Sequence, residues 1–212
     1  MSDALSALRE SRLVPVVTIH HPSEVEPIAR GLADAGIRCI EITLRSALGL
    51  FAIRQIVEAS ILHVGAGTVL DEESLHAAVD AGAEFAVSPG LDEGIVAAAR
   101  RRGVLALPGV ATATEIQRAR RSGLDHVKVF PIASIGGIGA IEALHQPFAG
   151  MSFMPSGGVT AQTANDFLAH PGVFAVGSSW LVPKRRDDSL YAEVRALAED
   201  ALHALDPEGE HA

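Results

Sequence analysis

Cysteine, lysine and any long apolar run are what this chain has least of, and each scarcity closes off a class of protein. The single cysteine among 212 residues, Cys39, excludes an internal disulfide and offers no thiolate cluster for a metal. It lies in the apolar run Ile37-Arg38-Cys39-Ile40 and reads as a small buried side chain. No uninterrupted apolar segment approaches the roughly 20 residues of a membrane-spanning helix, and the N-terminus carries charges where a signal peptide needs an apolar core. A soluble, cytoplasmic protein is expected. Net positive charge is missing too: the formal net charge is -9 with no basic block, which argues against nucleic acid or an anionic membrane as a partner. An anionic ligand would need a positive field that is local.

The chain carries fifteen arginines and two lysines. Lys184 lies in Lys184-Arg185-Arg186-Asp187-Asp188, a run that reads as solvated surface. Lys128 instead sits in Val127-Lys128-Val129-Phe130-Pro131, an apolar run of strand length, where an ammonium is costly to bury unless something uses it. Arginine cannot form an imine with a carbonyl compound, whereas a desolvated lysine can. Lys128 therefore reads first as a nucleophile, and second as a lysine whose stem is buried and whose head reaches solvent.

What is plentiful is a repeating unit. With nearly half its residues apolar, the chain can bury the core of one domain, expected to span 1–212 with a short helical leader and a frayed acidic tail at 207–212. Short, nearly all-apolar strands are expected at 13–19, 39–43, 62–65, 85–87, 104–107, 126–130, 152–155 and 173–176, each followed by a stretch of helical spacing. Eight strand-helix units of this size predict a parallel sheet covered on its outer face, closed into a (β/α)8 TIM barrel. An open doubly wound sheet is the alternative, but Gly65-Ala66-Gly67-Thr68-Val69-Leu70 lacks the third glycine of a dinucleotide fingerprint.

In a barrel of this kind the loops at the carboxyl ends of the strands build the active site. Strand two ends in Glu41-Ile42-Thr43-Leu44-Arg45, and alternation places Glu41 and Thr43 on the inner face. A carboxylate inside an apolar strand points to an acid or base, or to an ion pair with Lys128. Arg45, just past the strand, has the geometry to fork onto a carboxylate or phosphate. Ser156-Gly157-Gly158-Val159 and Gly177-Ser178-Ser179 follow the last two strands, where backbone N–H groups and small hydroxyls of many barrels cradle a phosphate. Lysine and glutamate together suggest a class I aldolase: an imine with a 2-oxo acid serves as electron sink while a carboxylate moves protons. That chemistry calls for neither a metal nor a cofactor.

Glu41-Ile42-Thr43-Leu44-Arg45-Ser46, Gly65-Ala66-Gly67-Thr68-Val69-Leu70, Ser88-Pro89-Gly90, Lys128-Val129-Phe130-Pro131, Pro155-Ser156-Gly157-Gly158 and the run from Gly177 to Pro183 closely resemble the 2-keto-3-deoxy-6-phosphogluconate aldolase family, which includes 4-hydroxy-2-oxoglutarate aldolases. The resemblance runs in order over most of the chain. It implies a homotrimeric barrel that cleaves the phosphorylated sugar acid to pyruvate and glyceraldehyde 3-phosphate in the Entner–Doudoroff route. It also implies that Lys128 forms the Schiff base, Glu41 moves protons, Arg45 and Thr68 hold the pyruvate end, and Pro89 and Phe130 line the pocket. Gly157, Gly158 and Ser179 would bind the phosphate, with Ser156, Gly177 and Ser178 in the same two loops. Ser46, Val129 and Ser156 depart from the family's usual threonine, aromatic and threonine, which bears on pocket shape rather than on reaction type. A sister branch acting on the galactonate epimer shows Leu-Asn and Thr-Pro-Asn where this chain has Leu44-Arg45 and Ser88-Pro89-Gly90, so the gluconate substrate is favoured. Competing readings are a 4-hydroxy-2-oxoglutarate aldolase, a metal-dependent lyase using His20-His21 with Glu41, and a non-catalytic barrel that senses a phosphorylated sugar.

Overall fold

A computed structural model describes residues 3–184 and 187–205 of the chain; the expected tail at 207–212, together with Arg185 and Arg186, lies outside them. Apolar β-rich runs and amphipathic segments alternate along the chain. After helix α1 (Asp3–Ser11) come β1 (Leu13–Val17), α2 (Val25–Asp34), β2 (Cys39–Thr43), α3 (Gly49–Ala59), β3 (His63–Gly67), α4 (Glu72–Asp80), β4 (Phe85–Val87) and α5 (Glu93–Arg102). The second half adds β5 (Leu105–Leu107), β6 (Gly109–Val110), α6 (Ala113–Arg121), β7 (His126–Val129), α7 (Ile138–His145), β8 (Ser152–Pro155), α8 (Ala161–Leu168), β9 (Val176–Ser178) and α9 (Leu190–Leu205).

All strand pairs are parallel and form two sheets, a curled six-stranded one in the order β5-β4-β3-β2-β1-β9 and a three-stranded one in the order β6-β7-β8. The chain passes from one sheet to the other at Pro108. Proline has no N–H for the ladder, so the fifth strand breaks there: Leu105–Leu107 pairs with β4, while Gly109 registers with Lys128 of β7. At the other seam an isolated bridge joins Phe153 of β8 to Val173. That bridge explains why the last strand begins later than the apolar run 173–176 predicts. Phe153 N–H donates to Gly172 O at 2.7 Å and Phe174 N–H to Phe153 O at 3.1 Å, and pairing with β1 starts farther on, where Val176 N–H reaches Arg12 O at 2.8 Å.

Two-residue alternation sorts the strand side chains into two apolar clusters. Leu13, Val17, Ile40, Ile42, Val127, Val129 and Phe153 face outward and pack with the helices. Val14, Cys39, Phe85, Val87, Leu107 and Met154 face inward from both sheets and pack with one another. Helix α1 plugs the amino-terminal end of this inner cluster with Ala4, Leu5 and the fully buried Leu8. Arg9 of α1 hydrogen-bonds His126 Nε2 at 2.7 Å at the start of β7, and its guanidinium lies 5.7 Å from the centroid of the Phe174 ring. The leader helix thus fills the inner cluster at the amino-terminal ends of the strands.

Candidate active site

The inner face of β2 supplies Glu41 and Thr43, and the inner face of β7 supplies Lys128, because every second residue of a strand points the same way. Both charged groups are buried, Glu41 at 1% exposure and Lys128 at 6%. Lys128 Nζ stands 3.4 Å from Glu41 Oε1 and 5.3 Å from the Phe130 ring centroid. A charge-assisted N–H···O bond is ordinarily about 2.7–2.9 Å, so this pair is in contact without being locked. Glu41 Oε2 is buried and accepts no hydrogen bond among the described residues. A buried pair of this kind is weak evidence of added stability, because burial removes the hydration that both groups have in water.

The pair lies at a cavity of about 180 Å³, whose lining includes Arg45 and Thr68, Pro89 and Phe130, and the loop residues Ser156, Gly157, Gly158, Gly177 and Ser179. Eleven of the twelve candidate residues therefore meet at one place. Ser178 does not: it follows Gly177 in β9, alternation turns it away, and its buried hydroxyl has no partner among the described residues. Arg45 is exposed at the rim. Thr68 has φ +60°, a left-handed conformation that costs a β-branched residue about 1–2 kcal/mol. Such strain is retained where a side chain is needed in one direction.

The loop from Ser156 to Gly158 is stapled to the chain at the end of β7. Ile132 N–H donates to Ser156 O at 2.9 Å and Ala133 N–H to Gly157 O at 3.1 Å, while Gly157 and Gly158 take φ +83° and +92°. A Cβ at Gly157 would come within 2.7 Å of the Phe130 ring, so glycine there satisfies both backbone and packing. Ser88 Oγ donates to Gly90 O at 2.7 Å and shapes the loop that presents Pro89. Sequence reasoning missed Val16, which also lines the cavity. The signal was present, since Val14 and Val16 alternate on one face and Val16 registers with Glu41. Of the departures from the family pattern, Ser156 lines the cavity, whereas Val129 packs outward against the helices.

A more open cleft of about 710 Å³ lies at the opposite end of the strands, between the ends of α2 and α3. Its polar lining is Arg38, Ser60 and the half-exposed pair His63 and Glu84, 2.8 Å apart. This cleft is the larger, but the buried amine, the carboxylate and the glycine loops meet at the smaller cavity. His20 and His21 are exposed, and His21 accepts from Ser23 N–H to cap the 3-10 turn Pro22–Glu24, as a loop reading requires. Among the described residues no three His, Cys, Asp or Glu side chains are grouped to hold a metal ion.

A family model described as KDPG and KHG aldolase matches residues 5–197. This chain belongs to the KDPG and KHG aldolase family. Members of that family are aldolases, carbon–carbon lyases, and this chain is one of them. It is 43% identical to the 2-dehydro-3-deoxy-phosphogluconate aldolase of Pseudomonas aeruginosa over 196 residues, which is 92% of this chain and 89% of the relative. The aldolase fold superposes on the Zymomonas mobilis 2-keto-3-deoxy-6-phosphogluconate aldolase, solved with 3-phosphoglycerate, with a TM-score of 0.89 at 38% identity, covering 94% of each chain. It also superposes on the Legionella pneumophila KDPG aldolase, solved with pyruvate captured as a covalent carbinolamine, with a TM-score of 0.88 at 29% identity, covering 94% of this chain and 98% of that one.

Proposed function

We propose that this aldolase cleaves 2-keto-3-deoxy-6-phosphogluconate to pyruvate and glyceraldehyde 3-phosphate through a Schiff base on Lys128, the class I route of the Entner–Doudoroff pathway. The observation that carries the reading is the buried pair itself: an amine 3.4 Å from a carboxylate, in a cavity whose lining includes two loops of glycine and serine. The neutral amine of Lys128 adds to the C2 carbonyl, and loss of water leaves a protonated imine. Glu41 takes the proton of the C4 hydroxyl, the C3–C4 bond breaks, and its electron pair enters the imine to give an enamine and free aldehyde. Glu41 returns the proton to C3, and hydrolysis of the imine releases pyruvate and the amine.

Arg45 and Thr68 hold the carboxylate end, Pro89 and Phe130 wall the pocket, and Ser156, Gly157, Gly158, Gly177 and Ser179 take the phosphate. Phosphate binding is supported by the positive-φ glycines, whose backbone N–H groups suit an anion, and by the phosphorylated acid named with the Zymomonas relative. Imine chemistry is supported by the pyruvate carbinolamine named with the Legionella relative. The two sheets are read as one closed (β/α)8 barrel in a single domain, with β5 and β6 as one strand bent at Pro108. A cytoplasmic homotrimer completes the proposal. Among the described residues no helix is long and apolar enough to cross a membrane.

The family description also names 4-hydroxy-2-oxoglutarate, and a cavity that ends in an exposed arginine has room for a second carboxylate. Turnover of that substrate at a rate comparable to the phosphorylated one would establish the second reading. The decisive experiment is incubation with pyruvate and borohydride, followed by intact mass and peptide mapping. One reduced pyruvate on Lys128, with the exposed Lys184 untouched, is expected. No adduct under conditions that trap a known Schiff-base aldolase would sink the class I mechanism.

A further inference from the structure

Glycine is held at some positions of this chain by backbone conformation and at others by space, and the two can be told apart. Gly157 and Gly158 have positive φ. Gly67 does not: it lies in β3, registered with Thr43, in a conformation that any residue adopts. A glycine there weakens the strand through chain entropy and lost packing. At the next residue the logic is reversed, because Thr68 has φ +60°, where glycine would be at ease. Conformation explains neither choice.

Space explains the first. A Cβ at position 67 would lie 2.2 Å from Glu41 Oε1, 2.7 Å from its Cγ and 2.8 Å from its Cδ, so the three nearest atoms all belong to one side chain. Glu41 registers with Gly65, which makes Gly67 its diagonal neighbour on the same face of the sheet. The Glu41 side chain thus lies flat across the bare backbone of β3, and from there its Oε1 reaches Lys128 Nζ. Gly177 repeats the device at the other end of the cavity. It also lacks a positive φ, and a Cβ there would lie 2.4 Å from Ser156 Oγ and 2.8 Å from Ser156 Cβ.

We propose that Gly67 is a positioning residue for the aldolase reaction, its missing side chain forming the seat that holds the Glu41 carboxylate beside Lys128. The proposal rests on Glu41 as the proton carrier, as read above. Gly177 seats Ser156 in the same way, so the reacting end and the phosphate end of the site are set by separate glycines.

The test is Gly67→Ala, examined by steady-state kinetics and by crystallography. The displaced group is a flexible side chain that borders the cavity, so the variant is expected to fold with the carboxylate swung away from the lysine. A shift of about 1 Å in a reacting group costs up to about 100-fold in rate, so kcat is expected to fall about 10–100-fold with KM little changed. In a Glu41→Ala background the same substitution is expected to have no further effect on kcat, because the atoms it clashes with are gone. Gly177→Ala is expected to raise KM for the phosphorylated substrate more than it lowers kcat. A Gly67→Ala crystal structure with the carboxylate still in place beside Lys128, or an undiminished kcat loss in the Glu41→Ala background, would overturn the proposal. If Gly67→Ala does not fold, the Gly67→Ala/Glu41→Ala double variant should; failure of both also overturns it. Wild-type turnover by Glu41→Ala alone would refute the proton-carrier reading, and the Gly67→Ala crystal structure would still decide the seat.

Discussion

At the scale of single residues, the chain carries a local cost beside the cavity. Thr68 stands in the left-handed region and lines the cavity, a choice that exchanges stability for a hydroxyl in a fixed direction. Replacing it by glycine removes about 1–2 kcal/mol of strain and adds about 0.5–1 kcal/mol of unfolded-state entropy. Thr68→Gly is therefore expected to unfold in urea at the same or a slightly higher concentration, while its KM for substrate rises. A lower unfolding midpoint would show that the threonine is not strained. Cys39 makes the opposite case of a residue with reactive chemistry put out of use. Burial pushes its thiol up to about 12, outweighing the hydrogen bond with Ser11 that favours the thiolate. Iodoacetamide at mildly alkaline pH is expected to leave native Cys39 unmodified and to alkylate it fully once the chain is unfolded. Rapid labelling of the folded protein would contradict its place in the inner cluster.

At the scale of the element, α6 shows how a helix start is written into four consecutive residues. Thr112 followed three residues later by Glu115 is a capping-box spacing, and both halves of the box form. Glu115 Oε2 accepts from Ala111 N–H at 2.7 Å and from Thr112 N–H and Oγ1–H at 2.9 Å, while Glu115 N–H donates to Thr112 Oγ1. Burial alone would raise the Glu115 carboxyl, but these hydrogen bonds, helped by Arg118, hold it below its ordinary 4.5. A carboxylate lowered on folding stabilises fully above the unfolded value and loses that contribution as pH falls through the folded one. Glu115→Ala is expected to cost about 1–2 kcal/mol at neutral pH. In a urea series run to progressively lower pH, the gap between variant and wild type should close below about 4.5. A gap that stays constant to low pH would place the stabilisation elsewhere. The strand boundaries were less legible than this helix start. The last strand begins at Val176 rather than at residue 173, because residues 172–174 bridge Phe153 of β8 alone and the register with β1 starts at Val176, a change of partner that composition does not encode.

At the scale of the whole molecule, the two ends of the strands have separate duties. The leader helix fills the amino-terminal end with Leu8, and Lys128, Glu41 and the glycine loops gather at the other end. Leu8→Ala is expected to destabilise the fold by about 2–5 kcal/mol through the cavity it leaves, with kcat unchanged in the folded protein. A matched fall in kcat would mean that the plug also sets the active-site geometry. What the amino-acid sequence determined by itself was everything carried by short-range pattern. That includes the alternation of parallel strands with helices, the inward face that holds Glu41 and Lys128, and the small-residue loops at the strand ends. These follow from periods of two and 3.6 residues and from the conformational limits of glycine and proline, which act between near neighbours in the chain. Only the tertiary structure decided that Lys128 and Glu41, 87 residues apart, come to 3.4 Å, that the fifth strand is divided between two sheets, and that Ser178 turns out of the site its neighbours enter. Those facts depend on strand register and on the curl of the sheets, which sum contributions from residues far apart in sequence.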